Sequence, residues 1–518
     1  MVRGAGLRPP GHPHGVDRRP PQHLPLHLGG RGDAAHRRLS VPVNDLAAIL
    51  PELLLVIVGA LLALADSFAP ALRPRFGLLG AVTAIAAGLL RWLVPLPGRV
   101  WSGALLVDPM ARFLDTYVLV AVLLCALMAD PYLARTKARL GEFYALLLWA
   151  AVGAMVMMKS DHLLVIFVGL ELLSVCLYAL NAFHTTSVVS LEAGWKYLVV
   201  GAFSAAVLLF GVALLYGATG TLALGQAAGA LAALPGSPLL LAGLALLFAG
   251  LAFKLALVPF HAWAPDVYQG SPTPVTAFLS VVPKGAALVV LARTVAALLP
   301  PPATVRWTLL LAAVAVLSMT LGNLVAIAQR DLKRMLAYSG IAHMGYALVG
   351  IAAFGQDGVA AVLVYVAAYT LMNIAAFAVV SAFSEGEEEP HLVTDLAGQG
   401  WVRPGLSFAL AVAMFSLAGI PPTVGFAAKF LVFRAAVLDG LVWLAVVGVI
   451  NSLVSVFFYL RVVYYLYMRP LPKRQPQYTE PLAVRLVAGL CAVGIFVLGV
   501  LPGIVLETAE LAARTLTR

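Results

Sequence analysis

The sequence predicts an all-α polytopic membrane protein with about 14 transmembrane helices. Three observations carry this. The 518-residue chain is 62% hydrophobic and only 11% charged, with mean hydropathy +0.95, whereas soluble domains carry about 25% charged residues. Apolar runs of the ~20 residues needed to cross a bilayer recur along most of the chain. The short alternating segments of a membrane β-barrel are absent.

Residues 1–44 come first and differ from the rest. Residues 1–40 hold seven arginines, two aspartates and five of the ten histidines, which is half of the formal net charge of +10. They lack the apolar core of a signal peptide. They read as a disordered or spurious extension; a tail for nucleic acid or lipid is the rival reading.

The spans then follow in order. Continuous apolar runs at 46–65, 76–94 and 109–129 make an N-terminal unit, 45–141. The runs 142–158, 162–183, 196–216, 238–262 and 273–297 make a second group, 142–297. The runs 305–328, 335–354, 359–384, 405–437 and 440–467 make a third, 298–468, and 482–502 closes the chain within 469–518. Two spans carry breaks. Pro259 interrupts the seventh, since proline lacks a backbone donor and disturbs the carbonyl four residues back, that of Leu255. Gly419, Pro421 and Pro422 interrupt the twelfth. Broken helix at membrane depth is tolerated only where protein buries it or it lines a polar cavity.

Charged residues inside these spans are the candidate site. Each costs at least ~3 kcal/mol to leave facing lipid, so it faces protein or water. Glu171 lies nine residues past His162, roughly 13 Å along a helix. Lys254 and His261 in the seventh span are seven residues apart, two turns, and share a face if the helix continues that far. Lys284 lies eleven residues into the eighth span, too deep to snorkel. His343 sits nine residues past Arg334 in the tenth span, near Tyr338 and Ser339. Lys429 follows the break in the twelfth. Lys196 opens the sixth span, with Glu192 four residues earlier, the favourable order for an ion pair. Structural readings stand beside the functional ones: a surface ion pair for Lys196, and hydrogen-bonded packing for His261, His343 and Glu171.

An amine in water holds its proton too tightly for a relay. Desolvation loosens it and a nearby carboxylate tightens it, by about 2.4 kcal/mol at ~7 Å and an effective dielectric of ~20. A glutamate and a lysine at membrane depth therefore suit a proton switch. Cys125, Cys176 and Cys491 are isolated, with no spacing for zinc, haem or an iron–sulfur cluster, and no nucleotide-binding glycine loop is present. No redox cofactor, metal or nucleic acid is expected in this chain.

Orientation follows from Lys and Arg in the loops. Alternate loops starting with the first carry twelve: Arg73, Arg75, Arg135, Lys137, Arg139, Arg330, Lys333, Arg334, Arg403, Arg469, Lys473 and Arg474. The other set carries three, Arg99, Lys159 and Arg306. The first set is expected in the cytoplasm, with both termini on the periplasmic side. The acidic run at 384–389 reads as a solvated cytoplasmic loop or a partner contact.

Six motifs then become recognisable: GLELLSVCLYAL at 169–180, SLEAGWKYLVVGAFSAAVLLFGVALLYGATG at 190–220, FKLALVPFHAWAPDVYQGSPTPV at 253–275, DLKRMLAYSGIAHMGY at 331–346, SLAGIPPTVGFAAKF at 416–430 and NSLVSVFFYLRVV at 451–463. In this order they resemble the antiporter-like membrane subunits of respiratory complex I, the proton-pumping NADH:quinone oxidoreductase, over about residues 45–505. Within that family the likeness is strongest to the branch designated N. A long lateral helix after the last spans, typical of branch L, is not seen before Arg518, and branch M usually carries glutamate where Lys429 stands.

The resemblance implies fourteen helices, with spans four to eight and nine to thirteen as two inverted repeats whose seventh and twelfth helices are broken. It implies that Glu171 pairs with Lys254, that Lys284 bridges inward and that Lys429 ends the half-channel, with Lys196, His261 and His343 along the same axis. Protons are expected to enter at the Lys254/Lys284 half, follow the central axis and leave near Lys429, with Glu171 as the switch. NADH, FMN, iron–sulfur clusters and quinone are expected in other subunits. The expected partners are the neighbouring subunit M, the small subunits J and K, and the lipid bilayer, in the bacterial inner (plasma) membrane. The rival readings are a subunit of an Mrp-type cation/proton antiporter and a non-transporting scaffold.

Overall fold

The structure, a computed structural model, describes residues 43–134, 140–233, 237–298, 304–383, 392–472 and 480–516. The arginine-rich tail up to residue 42, the loop cations Arg135, Lys137, Arg139, Lys473 and Arg474, and the acidic run at 384–389 lie outside the described residues.

Helices α1 (Val43–Ala48), α2 (Leu50–Phe68) and α3 (Phe76–Leu93) lead to a small antiparallel hairpin. In it β1 (Gly98–Val100) pairs with β2 (Leu105–Val107), Gly98 opposite Val107. Helices α4 (Pro109–Leu133), α5 (Leu140–Met158), α6 (Leu163–Asn181), α7 (Val188–Thr219) and the short α8 (Leu224–Ala233) follow. The seventh span is two pieces, α9 (Pro238–Leu255) and α10 (Trp263–Gly270). Next come α11 (Thr273–Leu298), α12 (Thr304–Ala328), α13 (Leu332–Ala352), α14 (Gln356–Ala382) and the one-turn α15 (Gln399–Val402). The twelfth span is also two pieces, α16 (Pro404–Ala418) and α17 (Val424–Leu438), before α18 (Val442–Met468), α19 (Leu482–Val500) and α20 (Gly503–Ala513).

Among the described residues 13 helices are long and apolar enough to cross a membrane, and α16 is a shorter apolar one. That agrees with fourteen crossings, twelve continuous and two broken. Asp108, Ser187 and Asp331 cap α4, α7 and α13 with their side chains, satisfying backbone donors that a helix start leaves free. The core sits on α11, α13 and α14, which are buried along nearly their whole spans. Helices α2, α7, α18 and α19 expose apolar faces instead.

Both breaks have one construction. A left-handed residue ends the first half, Ala256 at φ 54 or Gly419 at φ 87. The amide of the next residue reaches back five positions, Leu257 to the Ala252 carbonyl at 2.9 Å and Ile420 to the Phe415 carbonyl at 3.0 Å. These closures satisfy carbonyls that a helix end leaves unpaired. The peptide bonds Val258–Pro259 and Pro421–Pro422 are cis, three positions after the left-handed residue in each case.

Three expectations are corrected. The seventh helix stops at Leu255, so Lys254 and His261 are not on a shared helical face. The sixth span starts at Val188, not Lys196, because Ser187 caps it and the Glu192–Lys196 pair is carried inside its second and third turns. Lys333 and Arg334 likewise lie inside α13 rather than in a loop.

Candidate functional site

The site is built from helix ends and helix middles that meet in the core. Lys254 lies on the last turn of α9 and is 4% exposed. Its Nζ donates to Ser174 Oγ at 2.7 Å, and Ser174 donates to the Leu170 carbonyl at 2.5 Å. Ser174 is one turn after Glu171 on α6, so acid and hydroxyl share a face. Glu171 interacts electrostatically with Lys254 without a direct ion pair, and its Oε1 is buried with no hydrogen-bond partner among the described residues.

Lys284, at mid-α11, is 1% exposed. Its Nζ has no hydrogen-bond partner among the described residues and lies 5.2 Å from the centre of the Tyr268 ring. It also lies over the backbone of α13 at Gly340, where an added Cβ would meet Nζ at 2.6 Å. His343, three residues on, is held by hydroxyls: Nδ1 lies 2.6 Å from Tyr365 Oη and Nε2 3.1 Å from Tyr459 Oη. Tyr459 Oη in turn meets Ser339 Oγ at 2.5 Å. Along α13 His343 falls midway between Gly340, which the Lys284 amine overlies, and Tyr346, whose ring lies under Lys429.

Lys429 is 4% exposed. It folds back over the break and donates to the Leu417 and Ala418 carbonyls at 3.0 and 3.1 Å and to Ser452 Oγ at 2.9 Å. Those carbonyls are the C-terminal end of α16, where the helix dipole favours a cation. All three amines also rest on tyrosine faces, Lys254 on Tyr197 at 5.4 Å, Lys284 on Tyr268 at 5.2 Å and Lys429 on Tyr346 at 4.9 Å. The aromatic quadrupole attracts a cation there.

Lys196 belongs to a separate, half-exposed network. Its Nζ contacts Glu192 at 2.7 Å and Asp266 at 2.8 Å, and Asp266 also contacts Arg334 at 2.6 Å. This joins α7, α10 and α13. His261 is half-buried in the unwound segment of the seventh span, with Nδ1 unpartnered among the described residues. The structure thus brings Glu171 together with Lys254, and Lys284, His343 and Lys429 together along α13; Glu192 and Lys196 form a separate, half-exposed pair, and His261 stands apart from Lys254's helix.

The sequence reading missed Ser174, the tyrosines and the pairing of Asp266 with Lys196 and Arg334. Ser174 had a signal, its spacing of three from Glu171. It also missed a second buried group. Glu52 on α2, Arg91 on α3, Asp115 on α4 and Lys159 after α5 are at most 4% exposed. Arg91 contacts Asp115 at 2.8 Å and Glu52 at 3.4 Å; Lys159 contacts Asp115 at 3.0 Å and also pairs with Glu52. Lys159, read from sequence as a loop cation, is part of this quartet. Among the described residues no three His, Cys, Asp or Glu side chains converge as metal ligands.

Fourteen crossings, two broken helices and buried amines threaded through the core define a polytopic membrane protein of the ion-translocating, antiporter-like class. Residues 160–455 match the family described as "NADH:quinone oxidoreductase/Mrp antiporter, TM". A relative from Trichlorobacter lovleyi, named NADH-quinone oxidoreductase subunit N, is 41% identical over 479 residues, covering 91% of this chain and 97% of the relative. A chain of respiratory complex I from Thermus thermophilus, solved with bound aureothin, superposes with TM-score 0.74 at 35% identity, covering 88% of this chain and 98% of that one. A chain of the Mrp complex from Dietzia sp. shares the fold, with TM-score 0.79 at 23% identity over 92% and 98%. The chain belongs to the NADH-quinone oxidoreductase subunit N family.

Proposed function

We propose that this chain is the proton-translocating membrane subunit of NADH:quinone oxidoreductase. Membership of the subunit N family and the likeness to a complex I chain support it. The observation that carries it is buried His343, set on α13 between Gly340 beside Lys284 and Tyr346 beneath Lys429. Buried ionisable groups in series are costly without a task.

In the mechanism Glu171 is the switch. Its approach through Ser174 strengthens the proton's hold on Lys254, and its withdrawal releases that proton toward Lys284. The tyrosine hydroxyls on both ring nitrogens of His343 pass it on to Lys429. The Lys196–Asp266–Arg334 network feeds the path. Electron transfer from NADH to quinone, with FMN and iron–sulfur clusters, belongs to other subunits. Residues 142–297 and 298–468 act as the two repeats, each with its broken helix.

The exposed apolar faces beside Glu171, such as Val168 and Val175, and beside Lys429, such as Phe426 and Phe430, suit neighbouring membrane subunits. We assign them to J and K on one side and M on the other. The chain sits in the bacterial inner membrane with both termini on the periplasmic side.

The test is proton pumping by the whole complex in proteoliposomes. Glu171→Ala is expected to abolish most pumping while assembly is kept; full pumping by that complex overturns the switch. The family description it shares with Mrp antiporters keeps a cation/proton antiporter as the second reading, which requires sodium-dependent transport without NADH.

A further inference from the structure

One groove on the membrane surface is not used by the proton path. It has a volume of about 390 Å³ and lies between α4, α14, α19 and α20. Its walls are apolar, among them Phe113, Val120, Ala367, Leu371, Leu498 and Leu511. Among the described residues that line it, Arg112 is the one charged side chain. It stands on the first turn of α4, at the hairpin end of the helix.

The Arg112 guanidinium lies 5.0 Å over the Trp92 ring, and its Nη2 donates to the Val94 carbonyl at 3.3 Å. Its Nε is buried without a hydrogen-bond partner, and no carboxylate pairs with it among the described residues. Trp92 is itself 55% exposed and donates to Thr116 on the groove wall. A tryptophan with one wet and one apolar side marks the membrane–water interface. Val120, eight residues deeper along α4, is roughly 12 Å further into the bilayer.

A cation at the interface above an apolar slot running inward has the charge pattern of one ligand class. We propose that this groove binds an anionic phospholipid, its phosphate on Arg112 and an acyl chain along Val120, Leu371 and Leu498. The guanidinium pairs directly with a lipid phosphate, and a headgroup without a choline cation leaves that phosphate's charge unopposed. A protein helix is a poorer fit. A transmembrane helix laid there would leave the interfacial guanidinium without an anion.

The test uses the intact complex in proteoliposomes holding photoactivatable phosphatidylglycerol or phosphatidylcholine, the reactive group on the acyl chain. After illumination, peptides of α4 and α14 are mapped by mass spectrometry. Phosphatidylglycerol should label Val120 and Leu371 about fivefold more than phosphatidylcholine. Arg112→Gln should bring it down to the phosphatidylcholine level with NADH oxidation unchanged. Val120→Trp, which fills the slot, should remove labelling by both. Equal labelling by the two lipids in the unaltered complex, or no change in Arg112→Gln, overturns the headgroup assignment. Absence of lipid labelling in the unaltered complex, the result expected if a partner helix fills the groove, overturns the site.

Discussion

The Lys254 amine donates to Ser174 Oγ at 2.7 Å and makes no direct ion pair with Glu171. The hydroxyl stands one turn from the carboxylate on the same helix, so it spaces the two charges without separating them. A charge pair held this way is poised between contact and release. A tight ion pair would hold the lysine proton against transfer.

Ser174→Ala therefore removes the spacer. A hydrogen bond to a charged group contributes about 1.5–3 kcal/mol. Protons pumped per NADH should fall, less than in Lys254→Ala, while NADH oxidation by the detergent-solubilised complex is kept. Equal effects of the two substitutions would contradict the spacer role.

Glu192 and Asp266 both contact Lys196, but they differ in reach. Glu192 is a one-turn neighbour whose side chain is 56% exposed, and Asp266 also holds Arg334 across helices. Exposed pairs contribute about 0–1 kcal/mol. Glu192→Gln should pump normally, whereas Asp266→Asn should lower the pumping rate. A rate loss in Glu192→Gln as large as in Asp266→Asn would count against this ranking.

Gly419 sits at φ 87, and an added Cβ would lie 3.0 Å from Lys429 Cδ. A left-handed residue with a side chain costs roughly 1–2 kcal/mol, and the contact displaces the amine. Gly419→Ala should lower the melting temperature of the complex modestly and pumping strongly. Gly440, also left-handed at φ 80 but with open space around it, is the control: Gly440→Ala should share the first effect only.

The quartet predicts a stability effect. Arg91→Met leaves Glu52 and Asp115 sharing Lys159. Breaking a buried pair from one side costs about 3–5 kcal/mol, and removing both partners restores much of it. Arg91→Met should reduce the amount of assembled complex on native gels. Arg91→Met with Asp115→Leu should recover more than the single change.

The fold was largely legible because apolar length is a local property. The breaks at Pro259 and Pro421 were visible for the same reason, since proline acts on its own backbone. The exact end of the first break was not: it depends on Ala256 turning left-handed, which no residue type there announces. Glu171, Lys254, Lys284 and Lys429 stood out because a charge in an apolar run has few readings. The tyrosines beneath the amines did not, since a tyrosine in a membrane helix reads as ordinary packing. Asp115 and Arg91 were hidden by their position near span ends, where a charge normally reaches water. Only the fold brings the quartet, from three helices and the turn after α5, to one point.

That quartet has a bearing on how the chain is made. Glu52 leaves the ribosome 39 residues before Arg91 and more than a hundred before Lys159. Its carboxylate must therefore wait, inside the translocon or neutralised by a proton, until later segments arrive. The charges of the first three spans are therefore balanced in full only once the fourth span has delivered Lys159.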